Sequence, residues 1–241
     1  MTKAILIEKQ FEDSHIAEFP DPVATDIQNV LNVKVVGICQ SDIARVFNQS
    51  AYYYPIVLGH EFSGQLDTGE KATVFPIIPC MECKECKKWN HAQCSNYSYY
   101  GSRQDGGMQE KIAVNNWNII KDDQLDYEEL ALIEPCAVAM NAFKKASINN
   151  DSVLINGCGF ISLVLAQLLK VCGKTVYVRN RNKTKLKFAI ENFDLIEYEN
   201  QEVDCTFDFV SNTESMNFII EHSQPHGTII SVGNPSNDVL I

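Results

Sequence analysis

The residues able to do chemistry fall into three groups, and the first lies within residues 37–64: Cys39, Ser41, Asp42, His60 and Glu61. A thiolate, an imidazole and a carboxylate so close together suit Zn²⁺, a borderline-soft cation that accepts S, N and O ligands at once. These ligands stand singly and in one adjacent pair, not in closely spaced Cys and His pairs. That spacing favours a catalytic metal with an open position over a closed structural one. The second group is Cys80, Cys83, Cys86 and Cys94, a Cys-x2-Cys-x2-Cys-x7-Cys run. Four thiolates so spaced wrap one tetrahedral Zn²⁺ and leave no vacancy, so such a site holds a loop. Redox-active or merely buried thiols are the competing reading, but three evenly spaced cysteines are one more than a two-thiol redox motif uses.

The third group is Gly157-Cys158-Gly159, which follows an apolar strand at 153–156 and opens an apolar helix at 160–171. Glycines in that place let the backbone approach a pyrophosphate at a helix N-terminus. Ser162 occupies the position of the third fingerprint glycine. The turn on its own therefore describes a βαβ crossover without ligand equally well. After the next strand, Arg179-Asn180-Arg181 stands where an acidic residue would hold the ribose hydroxyls of NAD. Arginines there suit the 2′-phosphate of NADP.

The elements that must position these groups change character along the chain. Strands are expected at 3–7 and 30–36, separated by the turn Pro20-Asp21-Pro22. Ser41 and Asp42 can cap a short helix through Val46 and Phe47, which places Cys39 just before a positive dipole end. Tyr52-Tyr53-Tyr54-Pro55 is extended and leads to Gly59-His60-Glu61. Further strands are expected at 72–78, 112–114 and 117–120, with a turn at Asp105-Gly106-Gly107. Asp126 caps a helix through Leu132, and Glu134-Pro135 opens another. From Ser152 strand and helix alternate, with strands near 175–178, 195–198, 206–210 and 228–232 and helices near 184–192 and 214–221. Alternation of this kind means a parallel sheet. The remaining thiols, Cys136, Cys158, Cys172 and Cys205, read as small buried apolar residues.

Composition narrows the partners. The 241 residues are 45% hydrophobic and 21% charged, with a net charge of −11. Phosphate neutralisation needs clustered Lys and Arg, so a nucleic-acid surface is not expected and a small-molecule partner is. No apolar run approaches the ~20 residues of a membrane span, and no signal-peptide core opens the chain. Four of the nine cysteines are clustered, which fits thiols reduced or on metal in the cytoplasm better than a disulfide scaffold.

Taken in order, Gly37-Ile-Cys-Gln-Ser-Asp42, Gly59-His-Glu-Phe-Ser-Gly64, the four-cysteine lobe, Asp105-Gly-Gly107, Ile133-Glu-Pro135 and the Gly157-x-Gly159 turn resemble the zinc-dependent medium-chain alcohol and polyol dehydrogenases. The tracts Tyr53-Tyr-Pro-Ile-Val-Leu-Gly-His-Glu-Phe-Ser-Gly64 and Gly101-Ser-Arg-Gln-Asp-Gly-Gly107 are most similar to the sorbitol dehydrogenase branch, and within it to the galactitol-1-phosphate type. The resemblance implies an α/β chain with a β-rich N-terminal part. A GroES-like, partly open barrel with its zinc lobe at 80–94 would occupy 1–146, and a Rossmann NAD(P)-binding domain 147–241. It implies two zinc ions per chain. Cys39, His60, Glu61 and Glu134 would serve the catalytic one, and the four lobe cysteines the structural one. Ser41 would relay the alcohol proton, and Gly157, Gly159, Phe160, Ile161, Arg179, Asn180 and Arg181 would hold the coenzyme.

The implied reaction is hydride transfer between a polyol or polyol phosphate and NAD(P), in a homo-oligomer. An unphosphorylated polyol or diol is the alternative substrate, and an inactive zinc-binding fragment the alternative role. With Ile241 as its last residue and a short 192–203 region, the chain is expected to be truncated, with five sheet strands instead of six and one Rossmann helix fewer.

Overall fold

A computed structural model of the chain describes residues 1–146, 151–234 and 239, and packing divides the chain into two compact units, Met1–Glu134 and Pro135–Ile241. The boundary expected at residue 147 falls among residues 147–150, outside the described residues.

The first unit is mainly antiparallel sheet. Its elements are β1 (Thr2–Ile7), β2 (His15–Phe19), β3 (Gln28–Gly37), α1 (Gln40–Phe47), β4 (Ile56–Val57), β5 (Glu61–Leu66), β6 (Lys71–Val74), β7 (Ile77–Ile78), β8 (Ser98–Tyr99), β9 (Lys111–Asn115), β10 (Ile119–Lys121) and α2 (Tyr127–Ala131), followed by the first turn of α3 (Ile133–Lys145). Five strands run in the order β10-β6-β5-β3-β9 and three more in the order β2-β1-β4. The long strand β3 is the spine, because it pairs with β5 on one side and β9 on the other. A bulge between Val33 and Val35 interrupts its register with β5, and a bulge raises the local twist that curls a sheet. Leu31, Phe62, Leu66, Val74, Tyr100 and Val114 fill the core of this curl. Asp126 caps α2 by accepting the Glu129 N–H at 2.8 Å, as its sequence position requires.

One long strand was expected at 72–78, but two short ones form. Pro76 has no N–H to give a ladder, so the chain breaks between β6 and β7. Asn118 bridges the break: its Nδ2 donates to Phe75 O and Ile77 O at 2.6 Å each. The strand expected at 117–120 accordingly starts late, after a 3-10 turn over Asn116–Asn118.

The second unit contains the rest of α3 and then β11 (Ser152–Asn156), α4 (Phe160–Val171), β12 (Thr175–Arg179), α5 (Lys183–Phe193), β13 (Ile196–Glu197), β14 (Cys205–Asp208), α6 (Thr213–His222) and β15 (Thr228–Ser231). All pairings are parallel, in the order β13-β12-β11-β14-β15. Both faces of such a sheet are covered, and Val153, Leu154 and Ile155 are accordingly buried in succession. Helix α4 buries Ser162, Leu165, Ala166 and Leu169, the single stripe that a 3.6-residue period gives. Among the described residues no helix joins β13 to β14, as the short 192–203 region implied. Cys172 departs from expectation, since it is exposed at the end of α4, and Cys136 is only half-buried. No described helix is long and apolar enough to cross a membrane.

Asn118 is 1% exposed, so Asn118→Ala strips two carbonyls of their donor. The expected loss is about 1–3 kcal/mol of stability, measured by denaturant unfolding. A change of a few tenths would show that water replaces the amide.

Candidate active site

Cys39 is the N-cap of α1 and not merely its predecessor, a shift of the expected Ser41-Asp42 cap. Asp42, at the third helical position, accepts the Cys39 N–H at 3.2 Å, one half of a capping box. The same carboxylate is 1% exposed, lies 3.1 Å from Arg45 Nη1 and comes within 3.4 Å of His60 Nδ1. His60 immediately precedes β5, and Glu61, its first residue, pairs with Gly37 of β3. A side chain on Gly37 would run into the Glu61 carboxylate. The glycine therefore leaves that carboxylate room to reach its neighbours, and one ligand atom each from Cys39, His60 and Glu61 lie within 4.8 Å of one another.

Ser41 Oγ accepts from Arg45 Nη1 at 2.8 Å, and Arg45 Nη2 donates to Ser102 Oγ at 3.2 Å. Arg45 was not singled out from sequence, although a cation three and four residues after Asp42 and Ser41 shares their helix face. Glu134 stands in the first turn of α3, outside the 4.8 Å group. Its Oε1 accepts from the Tyr99 phenol at 3.3 Å, and the Tyr99 ring meets the His60 ring edge-on with centroids 5.6 Å apart. Tyr99 is the second residue that sequence did not reveal, because its role depends on a hairpin that brings it back from beyond the cysteine run.

Electrostatics tests whether a cation fits here. Burial pushes the Cys39 thiol up, but hydrogen bonds with His60 and Ser41 outweigh it and hold the thiol below its ordinary value. Burial pulls His60 down, and Asp42 and Cys39 more than reverse this, to about 10. The carboxyls of Glu61 and Glu134 are both raised, first by burial, with the charge of His60 opposing. A thiol, an imidazole and two buried carboxyls, Glu61 raised further by Asp42 and Glu134 by Glu61, form a site with room for positive charge. A divalent ion would supply it, and the S, N and O donors are those zinc accepts.

The second donor set is closer still to a finished metal site. Cys80, Cys83, Cys86 and Cys94 offer sulfurs within 4.8 Å of one another. Cys83 Sγ and Cys94 Sγ are 3.9 Å apart, against ~3.8 Å for a tetrahedron with Zn–S bonds of ~2.3 Å. Backbone N–H groups of Cys80 and Cys83 point at the sulfurs of Cys94 and Cys80. Backbone donors lower Cys83 to about 5, while burial pushes Cys86 up to about 12.

In the second unit Gly157 has φ +113, and its N–H donates to Arg179 O at 2.8 Å. Gly159 is the N-cap of α4 and gives it no side-chain cap, so the N–H groups that open the helix at Phe160 and Ile161 remain for an anion. A Cβ on Gly159 would meet nothing within 4 Å, which leaves open space above the helix end. Ser162, in the third glycine's place, is buried and donates to Gly159 O at 2.7 Å. The strand order reverses at β11, and Asn180 Oδ1 accepts the Cys158 N–H across this turn at 3.3 Å. A cleft of about 520 Å³ lies beside it, lined by Arg179, Asn180, Arg181, Lys183, Lys185 and Phe218 among others. The two arginines differ. Arg179 donates to Asn156 Oδ1 at 3.0 Å and lies 3.6 Å from the Phe218 ring centroid, whereas Arg181 is exposed on the rim.

Comparison with known proteins settles the family. Residues 26–124 match the alcohol dehydrogenase GroES-like domain. The L-galactonate-5-dehydrogenase of Escherichia coli strain K12 is 31% identical over 88% of this chain and 70% of that protein. This chain belongs to the zinc-type alcohol and polyol dehydrogenases. Another member of this family, galactitol 1-phosphate 5-dehydrogenase of the same strain, is 34% identical over 67% of the chain, which spans about half (51%) of that relative's length. The crystal structure of galactitol-1-phosphate dehydrogenase from Escherichia coli superposes with a TM-score of 0.90 at 27% identity, covering 99% of this chain and 77% of that one. The curled antiparallel unit is thus the GroES-like part of a medium-chain dehydrogenase, and the parallel unit is Rossmann-like. The family is zinc- and NAD(P)-dependent, and solved neighbours of the same fold hold NADP or NADH.

Gly37 gives the sharpest check on the site. Gly37→Ala is expected to displace Glu61 and cost about 1–3 kcal/mol in overpacking. Metal at Cys39 and His60 should be lost while the four-cysteine lobe keeps its own, as read by elemental analysis. Full retention of both would show that Glu61 is not needed at the metal.

Proposed function

We propose that this chain acts in zinc- and NAD(P)-dependent oxidation of a polyol phosphate of the galactitol-1-phosphate kind. The convergence of Cys39, His60 and Glu61 within 4.8 Å carries the reading. In it, the first unit serves as the catalytic domain and the second as the coenzyme domain, with one zinc at the Cys39 set and one in the lobe. A bound zinc would supply the Lewis acidity that lowers the pKa of a substrate hydroxyl. Ser41 relays the hydroxyl's proton: Arg45 holds its oxygen in place and leaves a lone pair to accept, and Ser41's own hydroxyl proton passes outward to solvent water. Gly157, Gly159 and the N–H groups of Phe160 and Ile161 hold the pyrophosphate of the coenzyme. Arg181 and Asn180 stand at the ribose end.

The phosphorylated substrate is supported by identity to the galactitol 1-phosphate enzyme and by Arg103. This arginine is exposed, with its guanidinium 4.4 Å from both the Tyr52 and Tyr97 ring centroids. It follows Ser102, whose hydroxyl Arg45 also holds. A planar cation held against two rings, next in sequence to a residue that Arg45 touches, suits a phosphate.

A screen of sugar alcohols and their phosphates with both coenzymes tests the reading. Turnover of a polyol phosphate is expected, and Arg103→Ala should raise its KM about 10-fold or more while sparing a free polyol. Turnover of free polyols alone would overturn the phosphate assignment.

For the coenzyme, NADP(H) is expected to bind more tightly than NAD(H). Because Arg179 is committed to Asn156 and Phe218, Arg181→Ala should weaken NADPH by about 10-fold or more and leave NADH unchanged, by fluorescence titration. Equal binding of both coenzymes to the unaltered chain would end the assignment.

A further inference from the structure

Cys39, His60 and Glu61 are three protein donors, the number a catalytic zinc takes when its fourth position stays open. Glu134 is a competitor for that position. Its carboxylate meets the phenol of Tyr99, whose ring packs against His60, yet it is outside the 4.8 Å group. A carboxylate closing on a metal would shut out a substrate hydroxyl, so something must hold it back.

The group that touches it is Tyr99. Its phenol donates to Glu134 Oε1 at 3.3 Å while its ring packs edge-on against His60. Tyr99 is itself firmly placed. It pairs with Ile77 in the β7–β8 ladder, and its carbonyl accepts the N–H groups of Ser102, Arg103 and Gln104 at 3.2, 2.9 and 3.2 Å. The next residue, Tyr100, is 1% exposed, donates its N–H to Pro76 O and accepts the Asn115 N–H on its phenol. The four-cysteine lobe is the loop of this β7–β8 hairpin, so closing the lobe also fixes Tyr99.

We propose that Tyr99 is a positioning residue that holds the Glu134 carboxylate away from the open position beside Cys39, His60 and Glu61. The proposal rests on reading those three residues as the metal set. A hydrogen bond to a charged acceptor is worth a factor of about 10–100 in occupancy, enough to decide where a mobile glutamate sits. The sign of the expected effect is unusual. Removing a supporting hydrogen bond from a metal site ordinarily weakens metal binding about 10–100-fold. Removing this one should strengthen it, because Glu134 is released to become a fourth ligand.

The test uses the full chain with zinc in the lobe and cobalt(II) at the Cys39 set. Tyr99→Phe keeps the ring against His60 and removes only the hydroxyl. Its cobalt affinity is expected to rise about 10-fold or more, and added azide, which shifts the visible spectrum of the unaltered chain, should no longer do so. In Tyr99→Phe with Glu134→Gln the azide response should return. Glu134→Gln alone, with Tyr99 intact, should leave cobalt affinity unchanged, which keeps the proposal testable if the phenylalanine variant folds poorly. Weaker or equal cobalt binding in Tyr99→Phe with the azide response kept would overturn the proposal, as would a loss of affinity in Glu134→Gln alone. Failure of Cys39→Ser to abolish cobalt uptake outside the lobe would instead overturn the metal-set reading itself.

Discussion

Asp42 is 1% exposed where α1 meets the start of β5, and a carboxylate taken so far out of water is tolerable only when donors and cations surround it. Three groups do so here, from different parts of the chain: the Cys39 N–H, the Arg45 guanidinium and His60. Because Cys39 and Arg45 belong to α1 while His60 precedes β5, the carboxylate sets how the helix sits on the sheet. Cys39 and His60, as candidate metal donors, inherit that geometry. A change at Asp42 would strand Arg45 and His60 together, two groups that its carboxylate now separates.

The second unit depends on a comparable buried carboxylate. Asp208 is fully buried at the end of β14 and accepts from Asn156 Nδ2 at 2.9 Å, Ser215 Oγ at 3.0 Å and the Val210 and Ser211 N–H groups. Asn156 in turn accepts from Arg179. The ends of β12, β11 and β14 are thereby tied across the point where strand order reverses, where open α/β sheets bind ligands. This network also explains why two neighbouring arginines have unlike roles. Arg179 completes a buried chain of polar groups and stacks on Phe218, while Arg181, two residues on, is past the strand and faces solvent.

Most of this fold is legible in the residues because local and global signals agree. Helix α4 begins and ends where the glycine turn and its apolar stripe place it, and the five parallel strands follow from strand-helix alternation. Breaks were less legible. The division at Pro76 needed a partner, Asn118, more than forty residues away, and periodicity carries no such information. For the candidate site, donor types and their spacing pointed to Cys39, His60, Glu61 and the lobe. Arg45 and Tyr99 escaped notice because neither residue type binds zinc and both act through another side chain. Glu134 could be tied to the site by resemblance alone, since no spacing rule links residue 134 to residues 39 and 60.

The two donor sets differ in what supports them, and that difference separates their chemistry. The lobe sulfurs receive hydrogen bonds from the backbone N–H groups of Cys80 and Cys83. Such donors move only when the loop itself unfolds, so a metal held there is held in one geometry. The Cys39 sulfur also takes backbone N–H groups from the start of α1, but His60 is braced by side chains, Asp42 and the Tyr99 ring, reaching in from a helix and a strand. Side chains change rotamer without unfolding anything. A metal set braced in this way would be able to exchange a ligand and recover, whereas a lobe braced by its backbone would not. With Tyr99 at the foot of the lobe's hairpin, the positioning of Glu134 proposed above would tie the adaptable set to the rigid one.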